Sequence, residues 1–255
     1  MADTPDAPPP DDLTSDGGLT SDGGLTSDGG PTSDGGPTSD SGFSSALRRL
    51  PLFPLPNAVL FPHALLPLHI FEERYRVMVR DVLTGTRCLA VGLLVPDRRE
   101  DDDLPAVQPI AGVGEVVMAH ELPDGRFNLV VRGRARVHID RELPSGRPYR
   151  LVTATEIPDF PIADEAELVD ADQTLRALIG RLADAIPEGG ELLRQVVAAQ
   201  ETPAQLVDGV ASALIVDPAL RQRLLETRDV GKRLERVAAE VVAMTARIGA
   251  PGTPN

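Results

Sequence analysis

Lysine chemistry in this chain has one candidate, because Lys232 is the single lysine among its 25 basic residues. A Ser-Lys peptidase dyad would need the fold to bring a serine to it, since none lies nearby in sequence and Lys232 falls on the polar side of a helical pattern. The only Gly-Lys pair, Gly231-Lys232, is followed by Arg233, and Glu226 stands where the first glycine of G-x-x-x-x-G-K-S/T belongs, so a P-loop ATPase is excluded. No serine in the body has the G-x-S-x-G surroundings of a hydrolase elbow; Ser212, for instance, lies between Ala211 and Ala213. His63, His69, His120 and His138 form no H-x-x-x-H or H-E-x-x-H pair. His69, His120 and His138 fall in alternating runs and read as partly exposed sheet residues, whereas His63 follows Phe61-Pro62 in a turn. Cys88 lies in an apolar run and reads as a small core residue. The acidic run Glu100–Asp103 matches no EF-hand spacing and reads as a solvated loop. These readings predict no catalytic residue, no metal site and no cofactor.

One basic feature stands apart. Arg132, Arg134 and Arg136 alternate and can share one face of a strand, as a basic stripe or as a salt-bridged solvent face. The overall charge opposes nucleic acid as a partner: the formal net charge is −14 over 255 residues. That charge is uneven. Residues 1–47 contain nine Asp and no Lys, Arg or Glu. No apolar stretch is long enough to span a membrane and the N-terminus has no signal-peptide pattern, so a cytoplasmic protein is expected.

These residues must be positioned by a body that begins near Leu47. Ahead of it, residues 13–42 are five hexamers, three LTSDGG, one PTSDGG and one PTSDSG. Gly, Ser, Asp and Pro at this density cannot offset the entropy of ordering, so a disordered acidic tail is predicted over 1–46. The proline-punctuated Leu50–Pro56 reads as an edge or barrel-closing strand. Val59–Phe61 and Leu65–Phe71 read as short strands. Phe71, Tyr75, Met78, Val79, Val82 and Leu83 then recur at helical spacing, up to a stop at Gly85. Further strands are predicted at Cys88–Leu94, Val113–Leu122, Arg126–Val131, Ala135–Ile139 and Tyr149–Ile157. Pro123-Asp124-Gly125 makes a hairpin turn between the second and third of these. After Asp159 the pattern becomes helical, with helices near 164–186, 189–200, 203–214, 217–226 and 229–248; Thr202-Pro203 and Asp217-Pro218 supply caps. In the last helix Val230, Leu234, Val237, Val241, Met244 and Ile248 form a seam, which docks on this chain's own helices or mediates self-association. Strands first and helices second give an α+β protein, with a strand-rich part over 47–160 and a helical part over 161–255.

Order and spacing add a resemblance. Leu52–Pro62 and Leu66–Tyr75, then Gly112–Val116, Leu122–Gly133 and Asp229–Leu234, are together similar to the N-terminal domain of Lon proteases, especially its free-standing bacterial versions. One departure falls in the turn, where His63-Ala64 replaces a frequent Gly-Gly. The resemblance implies a PUA-like β pseudo-barrel with one helix, followed by a C-terminal helical bundle. It also implies a role in engaging polypeptide substrates, without the ATPase and peptidase modules that follow in full-length proteases. The expected function is therefore a non-catalytic module for unfolded or exposed apolar polypeptide segments, with an adaptor role in protein quality control. Its alternatives are a Lon-type peptidase-associated activity and PUA-like RNA binding through the arginine stripe. The expected surface comprises Phe61, His63, Leu66, Glu72, Arg74 and Tyr75. Phe61, Leu66, Leu68, Phe71 and Tyr75 read as core residues before contacts, while His63, Glu72 and Arg74 are the stronger surface candidates.

Overall fold

The protein is described by a computed structural model that covers residues 40–95, 106–186 and 188–249. Most of the acidic tail and the Asp97–Leu104 loop lie outside these residues. A helix at Asp40–Ala46 (α1) is followed by strands Leu50–Leu55 (β1) and Leu65–Ile70 (β2), then a helix at Glu73–Thr84 (α2). Strands Cys88–Leu93 (β3), Ile110–Glu121 (β4), Phe127–Leu143 (β5) and Arg150–Glu156 (β6) complete the sheet. Five helices follow at Glu165–Ala185 (α3), Gly190–Ala198 (α4), Pro203–Leu214 (α5), Pro218–Glu226 (α6) and Val230–Gly249 (α7). None of the described helices is long and apolar enough to cross a membrane.

The strand order β2-β5-β4-β3-β1-β6 closes because β6 also pairs with β5. β5 makes closure possible by its length. Its first half pairs with β2 and its second half with β6, while β4 runs along most of it. The sequence pattern divides this segment into two strands around Gly133. The structure makes it one 17-residue strand, since Gly133 stays in the ladder opposite Gly114 and register shifts in the flanking pairs absorb the bend. β1 is the closing strand, parallel to β3 on one side and antiparallel to β6 on the other.

Val59–Phe61 is not a strand. The three residues are buried yet cross the sheet as irregular backbone, and two glycines permit the approach. A Cβ at Gly112 would lie 1.9 Å from the Leu60 carbonyl oxygen, and one at Gly133 would lie 1.9 Å from the Phe61 carbonyl oxygen. The following turn is pinned to β5: the His63 amide donates to the Gly133 carbonyl at 2.9 Å, and the Gly133 amide donates to the Ala64 carbonyl at 2.8 Å. His63 has a φ of 63°, the left-handed conformation that glycine adopts most easily. The Asp124-Gly125 hairpin also forms, with Gly125 at a φ of 79°.

Residues 40–46, read from sequence as the end of the tail, form α1. Phe43 and Ala46 bury against the β1, β3 and β4 side of the barrel, and the Arg134 guanidinium sits 5.2 Å from the Phe43 ring centre. α2 buries Tyr75, Met78, Val79 and Val82, as its spacing requires; Phe71 lies before the helix and is exposed. In the helical half, α3 and α5 pack on α7, whose Val230, Leu234, Val237 and Val241 are buried. The apolar seam of α7 is thus occupied within the chain from Val230 to Val241, with Met244 partly buried and Ile248 exposed. Asp164, Thr202 and Asp217 cap α3, α5 and α6 through their side chains.

A buried ion network joins the two halves. Arg136 of β5 donates through Nη2 to both carboxylate oxygens of Asp208 on α5, at 2.7 and 2.6 Å. It also donates through Nε to the Leu225 carbonyl at 3.0 Å and through Nη1 to Asp159 at 3.2 Å. Arg233 of α7, with a fully buried side chain, donates to both Asp159 oxygens at 2.7 and 3.0 Å. Its Nε lies 3.2 Å from Asp208 Oδ1 without the alignment of a hydrogen bond. Burial pushes the Asp208 carboxyl up, against the opposing pull of Arg136 and Arg233. Removing Asp208 would leave two buried guanidinium groups sharing one partly exposed carboxylate. Asp208→Ala is expected to cost about 3–5 kcal/mol in denaturant unfolding, against about 0.5 kcal/mol or less for the exposed Arg132→Ala. Gly133→Ala should cost about 3 kcal/mol in the same assay, because its Cβ would meet backbone.

Candidate functional site

The candidate site is an open groove of about 400 Å³ where β1 loses its second neighbour. β6 pairs with β1 only over Leu50–Leu52, so the stretch from Phe53 onward has a free edge on that side. The groove lies between this part of β1, the end of β2, the start of α2 and Pro148–Arg150. Phe53, Phe71, Tyr75 and Tyr149 line it, four of the chain's eight aromatic residues. Phe53 and Tyr75 meet edge to face with ring centres 4.6 Å apart, which fixes the floor. Phe71, 63% exposed, forms the lip.

The polar groups around these rings are already paired. Arg74 donates through Nε to Glu72 at 2.9 Å and lies over the Tyr75 ring at 4.7 Å. Arg150 pairs with Glu142. Asp81 on α2 holds the opposite wall, accepting from the Tyr149 hydroxyl and from Arg147 Nη1, each at 2.6 Å. Burial, then the hydrogen bond to Asp81, pushes the Tyr149 phenol up to about 12, and burial likewise raises Tyr75. Both phenols are therefore neutral near pH 7, and Tyr149 acts as a donor. Such a groove can take an apolar or aromatic side chain. It offers no paired acid and base and no activated nucleophile.

Of the residues expected from sequence, Glu72, Arg74 and Tyr75 meet in this groove. Phe61 does not reach the surface: it is fully buried and packs with residues of the helical half. Leu66 is half-buried against the cluster around α2, and His63 is exposed in its turn on β5. Phe53, Phe71 and Tyr149 belong to the groove but were absent from that expectation. Their signal in the sequence was the scarcity of aromatics, which makes any clustering notable. The arginine stripe is interrupted: Arg132 is exposed, Arg134 is half-buried with Glu115 at 3.2 Å, and Arg136 is buried in the ion network. β5 bends from the outer sheet into the contact with the helices, so alternate residues do not share one solvent face. His69, His120 and His138 are exposed sheet residues, and Cys88 is buried. Among the described residues, no three His, Cys, Asp or Glu side chains group as metal ligands.

A closed barrel joined to a helical bundle, with an open aromatic groove, is an α+β architecture. The family model for the ATP-dependent protease La (LON) substrate-binding domain matches residues 49–242, and the chain belongs to that family. It is 32% identical to the Lon protease of Paraburkholderia phytofirmans over 219 residues, 81% of this chain and 26% of that protein. It is 29% identical to the Lon protease of Koribacter versatilis over 201 residues, 76% of this chain and 24% of that protein. The chain thus spans about a quarter of the length of these relatives. Two solved structures share the fold. The N-terminal domain of Mycobacterium avium complex Lon protease aligns with a TM-score of 0.58 at 20% identity, covering 78% of this chain and 98% of that one. A Lon N-terminal domain protein from Xanthomonas campestris aligns with a TM-score of 0.52 at 24% identity, covering 75% and 97%.

The Asp81 anchor gives a measurable signature. A phenol raised from 10.0 to about 12 contributes stability that is complete below pH 10.0 and is lost as pH rises through about 12. Tyr149→Phe should remove the late-titrating step from the tyrosinate absorbance curve and cost about 1 kcal/mol at neutral pH.

Proposed function

We propose that this chain is a non-catalytic polypeptide-binding module that takes exposed apolar segments of unfolded proteins into the groove around Tyr75, as an adaptor in protein quality control. The observation that carries the reading is the groove itself: half of the chain's aromatic residues gathered at an open site in a member of a substrate-binding family. An exposed, rigidly backed aromatic lip is the kind of anchor that dominates peptide recognition. Peptide recognition here falls to side chains, because Pro54 in the free part of β1 and Pro56 just after it carry no backbone donor and weaken strand addition there.

A non-catalytic role is supported by the surroundings of the single lysine. The Lys232 side chain is 74% exposed at the start of α7, with Nζ 3.7 Å from Asp229 Oδ2. A lysine that serves as a peptidase base needs a desolvated site that lowers its pKa, and this position is solvated beside a carboxylate. The matched family region is the substrate-binding domain alone.

The test is binding of reduced, carboxymethylated lactalbumin, compared with native lactalbumin, to the intact chain by fluorescence anisotropy. The unfolded form is expected to bind and the native form not. Phe71→Ser should weaken binding roughly tenfold while leaving unfolding within about 0.5 kcal/mol of the parent. Equal binding of both forms, or no effect of Phe71→Ser, would refute the reading. Casein turnover abolished by Lys232→Ala would replace it with a peptidase.

A further inference from the structure

A second depression, of about 260 Å³, lies on the helical half between the starts of α3 and α7 and the segment leading into α3. Its floor is apolar, with Leu168 and Val230 both largely buried. Its lip is apolar as well, since Phe160 and Ile162 are 52% and 55% exposed. The lip is held in place. The Phe160 amide donates to the Arg228 carbonyl at 3.0 Å, the Arg228 guanidinium lies 4.2 Å from the Phe160 ring centre, and Arg228 Nε donates to the Pro158 carbonyl at 2.8 Å. Two apolar side chains are thus presented to water on an anchored segment.

The charges that line this site are predominantly negative. Asp164, Glu167, Asp229 and Glu235 line it, with Lys232 as the one cation of the lining. Two of these acids are engaged. Asp164 accepts the Ala166 and Glu167 amides, and Asp229 accepts the Lys232 amide and faces the Lys232 ammonium. Those two carboxylates offset the positive ends of their helices. Glu167 and Glu235 are exposed and carry no ion pair among the described residues, so the uncompensated charge of the rim is theirs.

An apolar floor and lip with two unpaired carboxylates match one kind of occupant. We propose that this depression is a second docking site, for apolar segments of a polypeptide in which arginine or lysine alternates with aliphatic residues. Aliphatic side chains fill the floor between Leu168 and Val230, and the cations meet Glu167 and Glu235. The site shares with the proposed function only the premise that the ligand is a polypeptide; it uses none of the residues of the groove around Tyr75.

The experiment uses the intact chain and two fluorescein-labelled peptides, identical except for a Leu-Arg-Leu-Arg or a Leu-Glu-Leu-Glu core. The arginine peptide is expected to bind more tightly, and to weaken as salt rises, because exposed ion pairs are screened. The double substitution Glu167→Gln, Glu235→Gln should weaken it by roughly three- to tenfold. Ile162→Ser should weaken it further, and Phe71→Ser should leave it unchanged. Equal binding of both peptides, or indifference to the double substitution, overturns the second site. If the arginine peptide instead follows Phe71→Ser, the second site is overturned while the groove reading stands. If it behaves as expected while carboxymethylated lactalbumin fails to bind, the groove reading alone falls.

Discussion

Two buried guanidinium groups, one buried carboxylate and one partly exposed carboxylate sit where the barrel meets the bundle. Arg136 leaves the middle of β5 and reaches α5, the end of α6 and the segment after β6; Arg233 answers from α7. A buried ion pair is a poor source of net stability, since desolvation consumes most of the Coulomb gain, and an apolar replacement of similar shape is often neutral. Its strength lies in discrimination. An arrangement in which one half shifts against the other leaves an unpaired buried charge, which costs far more than a lost apolar contact. The network therefore selects one seating of helices on barrel, and both the linker through Asp159 and the depression beside it follow from that seating.

The groove depends on a different incompleteness. A barrel strand paired on both sides along its full length would leave no opening. β1 is paired by β6 over three residues only, and the rest of its edge faces the groove. The wall opposite is the loop residues Pro148 and Tyr149 and the first residue of β6, Arg150, tied to α2 through the shared acceptor Asp81. The aromatic floor is thereby preorganised: Phe53 and Tyr75 hold each other, Tyr149 is hydrogen-bonded, and the surrounding cations are paired with acids. Apolar surface fixed in this way needs little further ordering.

Much of this was legible in the sequence, for identifiable reasons. The bundle helices start and end within a few residues of their expected limits, and at α5 and α6 the starts follow from Thr202-Pro203 and Asp217-Pro218, local signals whose physics acts within one turn. The hairpin at Asp124-Gly125 is equally local. What failed was non-local. Gly133 looked like a break, but its meaning is the close approach of the Phe61 carbonyl, which no window around residue 133 contains. Val59–Phe61 is as apolar as a strand and is buried like one, yet two glycines on other strands, Gly112 and Gly133, hold it as irregular backbone. Arg136 read as the third member of a surface stripe, because the partners of its side chain are 23 to 89 residues away. Asp208 carried a faint signal, an acid on the apolar face of α5 between Val207 and Val210. Of the candidate site, Glu72, Arg74 and Tyr75 were reached through family pattern, whereas Phe61 was a core residue despite its place in the same motif.

The prolines of β1 have a further consequence. An open apolar groove beside a free strand edge is the arrangement by which folded proteins recruit copies of themselves into growing sheets. Pro54 and Pro56 leave that edge without the regular row of amide donors that a neighbouring strand would need. The same residues that make the segment hard to read as a strand thus leave it a poor template for fibrils.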